Sequence, residues 1–215
     1  MYAPRQFRED RRDVLLAAIR DIRFGLVVAG GGDGAMQAAH VPVMVHEDAG
    51  GTVLRTHVAR ANPILGTIGE GAPALCVFQG PHAYVRPGWL PSKTKDGRVV
   101  PTWNYVAAQV RGRVRAVTDG GWLRAHVGAL SDAMEAGRDA PWGLSDAPED
   151  YVVDHLRGIV GLEIALEAVT GVWKLNQHHP RANRLGIVDG LRAEGDAGGL
   201  AVADAMAGAE ARSAS

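Results

Sequence analysis

Apolar and polar positions alternate most regularly between Thr102 and Val117, in TWNYVAAQVRGRVRAV. Val106, Ala108, Val110, Val114 and Ala116 fall on one side of a two-residue period, and Tyr105, Gln109, Arg111, Arg113 and Arg115 on the other. That pattern predicts one long strand with one buried face. FGLVVAG, AMQAAHVPVMV and TVLRTHVA predict further strands, the first two joined by a hairpin turn at GGDG, with Pro42 marking an edge or a bulge. PALCVFQG and AYVRP read as strands on either side of a Gly-Pro break, and GIVGLEIALEAVTGVWKLNQ as two strands around another break. Helical spacing of Val14, Leu15, Ala18, Ile19 and Ile22 predicts a helix over 11–22, and similar stripes predict helices at about 120–136 and 148–157. NPILGTIGEG predicts a short helix with Pro63 in its first turn. Beyond Arg184 the periodicity thins. Residues 1–185 are read as one domain, and 186–215 as an Ala/Gly-rich tail, weakly helical and partly mobile. Strands outnumber helices, and helices flank them, which favours an α+β class built on a mostly antiparallel barrel.

Composition narrows the function. The 215 residues are 47% hydrophobic and 22% charged, enough to bury a core without disulfides or metal. A net charge of −1 excludes a global basic field for nucleic acid. Cys76 is the single cysteine and sits in the apolar run PALCVF, where it reads as a small buried hydrophobe. Eight histidines show no zinc-protease spacing and have no cysteine partners, so no metal site is expected. The G-x-S-x-G elbow of many hydrolases is absent. With no leader-like segment and no apolar run near the length of a membrane span, the expectation is a cytoplasmic protein without membrane contact.

Two stretches carry candidate chemistry. RTHVARANP (55–63) ends a strand and begins a short helix, so it gathers Arg55, His57 and Arg60 near free backbone N–H groups, a combination suited to phosphate. The alternative makes Asn62 an ordinary cap and the arginines a solvated rim. FQGPHAYVRPGWLP and PTWNY gather Phe78, His82, Tyr84, Trp89, Trp103 and Tyr105, which could stack on a flat cofactor or plug the barrel ends and a subunit interface.

These motifs, together with MYAPRQF, GIVGLEI and KLNQ, resemble the PaiB family of FMN-binding split-barrel proteins, often labelled negative transcriptional regulators. The resemblance runs in family order from Met1 to about Asn183. It implies a split β-barrel related to pyridoxine-phosphate oxidases and flavin reductases, with flanking helices, and a homodimer carrying FMN at its interface. It places Arg55, Thr56, His57, Arg60 and Asn62 on the phosphate side, and Trp103, Asn104 and Gln109 by the flavin or the dimer seam. Lys174 and Gln177, with Trp173, match a segment near the end of the family barrel, although the following His178-His179 departs from the expected pattern.

Three function classes follow: an FMN-binding regulator or flavin-linked sensor, an FMN-dependent oxidoreductase using NAD(P)H on a small molecule, and a haem-binding barrel with His40 or His82 as axial ligand. Whether the chain is an enzyme is left open. DNA contact rests on one feature, the row Arg111, Arg113 and Arg115, for which a solvated or salt-bridged outer face is the competing reading.

Overall fold

The computed structural model describes residues 1–30, 35–68 and 71–214, with side chains as far as Glu210. The proposed GGDG turn lies outside the described residues. The elements in chain order are β1 (Arg8–Glu9), α1 (Arg12–Ile22), β2 (Phe24–Gly30), β3 (Met36–Pro42), β4 (Met44–Asp48), β5 (Gly51–Ala59), β6 (Ala72–Val85), α2 (Ser92–Lys95), β7 (Thr102–Val117), α3 (Gly120–Glu135), α4 (Glu149–Arg157), β8 (Ile159–Lys174), α5 (Arg181–Glu194) and α6 (Ala197–Ala214). The fold is α+β, an antiparallel split-barrel sheet with flanking helices. Its strand order is β3-β2-β6-β7-β8-β5-β4, with β1 paired to β8.

The chain divides into two compact units. One comprises 1–18, 79–109 and 170–215, and the other 19–78 and 110–169. In the second, Val27, Leu54, Phe78, Val114, Leu162 and Ile164 are fully buried. Asp119 begins α3 by accepting the Trp122 backbone N–H at 2.7 Å. In the first, Val85, Val106, Leu175, Ile187, Leu191, Val202 and Met206 share one apolar cluster.

Several sequence expectations need correction. AMQAAHVPVMV is not one strand. It splits at Val43 into β3 and β4, which stand at opposite ends of the strand order. Pro42 lacks the N–H needed to continue a ladder and ends β3. Gly80-Pro81 does not break β6, which runs unbroken. Instead the buried phase flips across it, from Ala74, Cys76 and Phe78 to Ala83 and Val85. β8 is likewise continuous. At Gly171 a Cβ would overlap Leu15 and Trp173, so the glycine serves close packing and not a turn. In β7 the predicted alternation holds from Asn104 to Val114, then slips: Arg115 and Ala116 are both exposed and Val117 is buried. The short helix at 63 is a 3-10 turn, Pro63–Thr67.

The Ala/Gly-rich C-terminal stretch forms two full helices. α5 ends at Gly195, whose φ of 74° gives the left-handed cap that glycine adopts without strain. Ile187, Leu191, Val202, Ala203 and Met206 are buried, so tertiary packing supplies what weak periodicity does not.

Gly112 marks the tightest backbone approach. A Cβ there would collide with the Ala165 carbonyl oxygen on β8. Gly112→Ala is expected to lower stability by about 1–3 kcal/mol through overpacking. Gly66→Ala, which faces open space, serves as control, and urea midpoints compare the two.

Candidate functional site

The ten residues singled out by the sequence fall into both units. Arg55, Thr56, His57, Arg60 and Asn62 lie in the second, and Trp103, Asn104, Gln109, Lys174 and Gln177 in the first.

In the second unit the β5–β8 register sets Arg55 opposite Glu163 and His57 opposite Gly161. Arg55 donates to Glu163 at 3.0 Å, and Arg115 from β7 reaches the other carboxylate oxygen at 2.6 Å. Burial pushes the Glu163 carboxyl up, but hydrogen bonds and charge from Arg115 and Arg55 outweigh it and hold the group below its usual range. Bare Gly161 makes room for Trp122, because a Cβ there would strike the indole. Trp122 stacks on His126 at 5.1 Å, and the Arg55 guanidinium sits 5.7 Å from the Trp122 ring. His126 Nε2 meets His57 Nδ1 at 3.2 Å. Desolvation, then repulsion from His57 and Arg55, pushes His126 down to about 4; burial lowers His57 as well. The pair is neutral near pH 7 and shares one proton along its hydrogen bond. Trp122 Nε1 is buried with no partner among the described residues.

Thr56 is buried and donates to the Pro42 carbonyl at 2.6 Å. Asn62 Oδ1 accepts from the Ile64 N–H at 3.0 Å and caps the 3-10 turn. Arg60 donates to the carbonyls of Arg157 and Ile159. It lines a recess of about 420 Å³ together with Gly120 and Gly121 at the start of α3, Arg124 and Arg157. Of the arginine row, Arg113 pairs with Glu167 at 3.3 Å and Arg115 with Glu163, as the salt-bridged reading expects.

In the first unit, Trp103 is 53% exposed beside Tyr84, at 6.0 Å between ring centres, and His82, at 6.3 Å. Its neighbour Asn104 points inward, as alternation on a strand requires, and is fully buried. Asn104 Nδ2 meets the Met206 sulfur at 3.3 Å, while its Oδ1 has no partner among the described residues. The Lys174 ammonium donates to the Thr102 hydroxyl and, at 2.6 Å, to the Trp103 carbonyl, and burial lowers its pKa. This clamp holds the Thr102 side chain and the backbone at the base of the exposed indole. Gln177 is engaged locally, accepting from the Leu175 N–H and donating to the Trp173 carbonyl. Gln109 is half-buried on β7.

Trp122, His126 and Glu163 are the residues that sequence reasoning missed. Trp122 and His126 lie one helical turn apart on α3, and Glu163 is a charge set within an apolar strand; both signals are readable. Cys76 is fully buried and its thiol is pushed up to about 12 by burial, as its apolar context suggests. Among the described residues no three His, Cys, Asp or Glu side chains converge on a metal position, and no helix is long and apolar enough to cross a membrane.

The sequence model of a family described as "Putative FMN-binding domain" matches residues 1–168. The chain belongs to that family. It is 26% identical to the protease synthase and sporulation protein PAI 2 of Bacillus subtilis over 206 residues, 96% of each chain. An uncharacterised protein of Emericella nidulans is 29% identical over 229 residues, covering 92% of this chain and 88% of its own. Among solved structures, an FAD- and heme-binding protein from Mycobacterium smegmatis superposes with a TM-score of 0.59 at 17% identity, over 88% of this chain and 80% of that one, which shows a shared fold.

The buried histidine pair gives a pH signature. Both groups titrate lower when folded than when unfolded, so the unfolded chain takes up protons first. The pair's contribution to stability is therefore expected to fall as pH drops from about 6.5, the unfolded value, and to be lost once pH passes about 4. His126→Phe keeps the stack on Trp122 and is expected to flatten that slope. Urea midpoints at a series of pH values measure it.

Proposed function

We propose that this chain binds FMN as a homodimer and acts as a flavin-linked regulator or sensor of the PaiB type. The observation that carries this reading is the family match over residues 1–168, which contains eight of the ten candidate residues.

Each unit, taken by itself, carries side chains of a kind that FMN asks for. A dianionic phosphate asks for cations and N–H donors. The second unit offers Arg60 at one recess, next to the first turn of α3 and beside Arg124 and Arg157, which are paired with Glu149 and Asp154. A flat ring with a polar edge asks for aromatic surface and buried hydrogen-bonding groups. The first unit offers exposed Trp103 and Tyr84, and Asn104 Oδ1, a buried acceptor still lacking a donor among the described residues. When bound, FMN supplies one- and two-electron redox chemistry at its ring. The protein's part is to hold the phosphate through Arg60 and its neighbours and to fix Trp103 through Lys174.

A second reading, an FMN-dependent oxidoreductase acting on a small molecule with NAD(P)H, draws on the half-exposed Trp103 face. An open aromatic surface admits a second flat molecule. Anaerobic titration of the purified protein with NADH or NADPH separates the two. Bleaching of the flavin absorbance favours the oxidoreductase. A stable yellow colour that survives titration, with a promoter-specific gel shift, favours the regulator. Purified protein with no flavin by mass spectrometry and no flavin uptake would sink both.

Arg60→Ala is expected to weaken FMN retention by roughly tenfold or more, since a charge-assisted contact contributes about 1.5–3 kcal/mol. Equilibrium dialysis checks it, and an unchanged affinity would remove Arg60 from the phosphate end. Light scattering on the flavin-bound protein tests the dimer, for which a monomer with full flavin content is the contrary result.

A further inference from the structure

The first unit holds a cleft of about 730 Å³ between α5, α6 and the end of β8. It lies wholly beyond residues 1–168, and so outside the family match. That volume is within the usual range for small-molecule sites. Its walls are apolar, with Leu175, Leu185, Val188 and Met206 among them. Its polar groups are few and mostly cationic: Arg181, Arg184 and Arg192 against Glu210, with Gln177 held by its own backbone neighbours.

The three arginines differ in what they already hold. Arg184 sends both Nε and Nη2 to Glu210 Oε1, at 3.0 and 2.7 Å, and also donates to the His179 carbonyl at 2.7 Å. That partly buried pair ties α5 to α6 and fixes the cleft walls. Arg192 faces Asp204 at 3.5 Å, an exposed and weak pairing. Arg181 has no carboxylate or hydrogen-bond acceptor among the described residues, and it stands in the first turn of α5, where the helix dipole adds positive potential. The cleft is thus a largely apolar trough with one cation, Arg181, that has no acidic partner among the described residues.

We propose that this cleft binds a small amphiphilic carboxylate, its apolar body against Leu185, Val188 and Met206 and its carboxylate on Arg181. A guanidinium takes a carboxylate in a two-pronged grip. Apolar walls reward a hydrocarbon body, and the Arg184–Glu210 pair stays intact on binding.

Calorimetric titration of the purified protein with decanoate tests this, with 1-decanol as the uncharged comparison. One decanoate is expected per chain, bound at least tenfold more tightly than 1-decanol. Arg181→Gln is expected to weaken decanoate roughly tenfold and leave 1-decanol unchanged. Ala207→Trp, an exposed wall position of the cleft, is expected to abolish binding of both while the thermal transition and flavin content stay those of the parent. No decanoate binding, equal affinity for the two probes, or binding indifferent to both substitutions would overturn the proposal. So would sedimentation showing that Ala207→Trp turns dimers into monomers, since the cleft would then be a contact between copies of the chain.

Discussion

One carboxylate organises the cationic cluster of the second unit. Glu163 on β8 holds Arg55 of β5 with one oxygen and Arg115 of β7 with the other, so three strands meet at one side chain that is only 12% exposed. Partial burial makes this interaction sensitive to its partners: removing one leaves charge that water cannot fully screen. Arg55 is thereby directed across Trp122, Trp122 settles on Gly161, and the indole presses His126 against His57. The neutral histidine pair is the far end of a sequence of contacts that starts at an ion pair. The close approach at Gly112 belongs to the same arrangement, bringing β7 against β8 within a few residues of Glu163 and Arg115.

The first unit follows a different logic. There the polar groups are positioned by apolar packing. α5 and α6 bury Ile187, Leu191, Val202 and Met206 in the cluster that contains Val106 and Leu175. Asn104 is drawn inward with Val106 by strand alternation and ends on Met206. The opposite face carries Trp103 outward, with Lys174 bonded to the backbone at its base. β7 thus serves two ends: residues up to Gln109 belong to the aromatic unit and residues from Val110 onward to the arginine-bearing one.

The β7 alternation was legible because the residues from Asn104 to Val114 repeat one period, and its slip at Ala116 was not, since no residue there signals a change of phase. Glycine misled in both directions. Gly80-Pro81 and Gly171 carry turn composition, yet each lies inside a long strand, where only the neighbouring side chain or the change of buried face reveals its role. The cationic residues at 55–62 were visible by type, but their engagements were not. That Arg55 lies opposite Glu163 depends on strand register over 108 residues of separation. The C-terminal helices were faint because Ala and Gly blur the apolar stripe, and their packing partners lie far away in sequence.

Cys76 has a practical meaning for chemical biology. The chain's only thiol is sealed in the core, and burial raises its pKa far above neutral pH, so it is a poor nucleophile toward maleimides or disulfide reagents there. A cysteine introduced at any exposed position is therefore the sole conjugation handle on the native background. Dyes or spin labels can be attached to either unit without first deleting the natural sulfur.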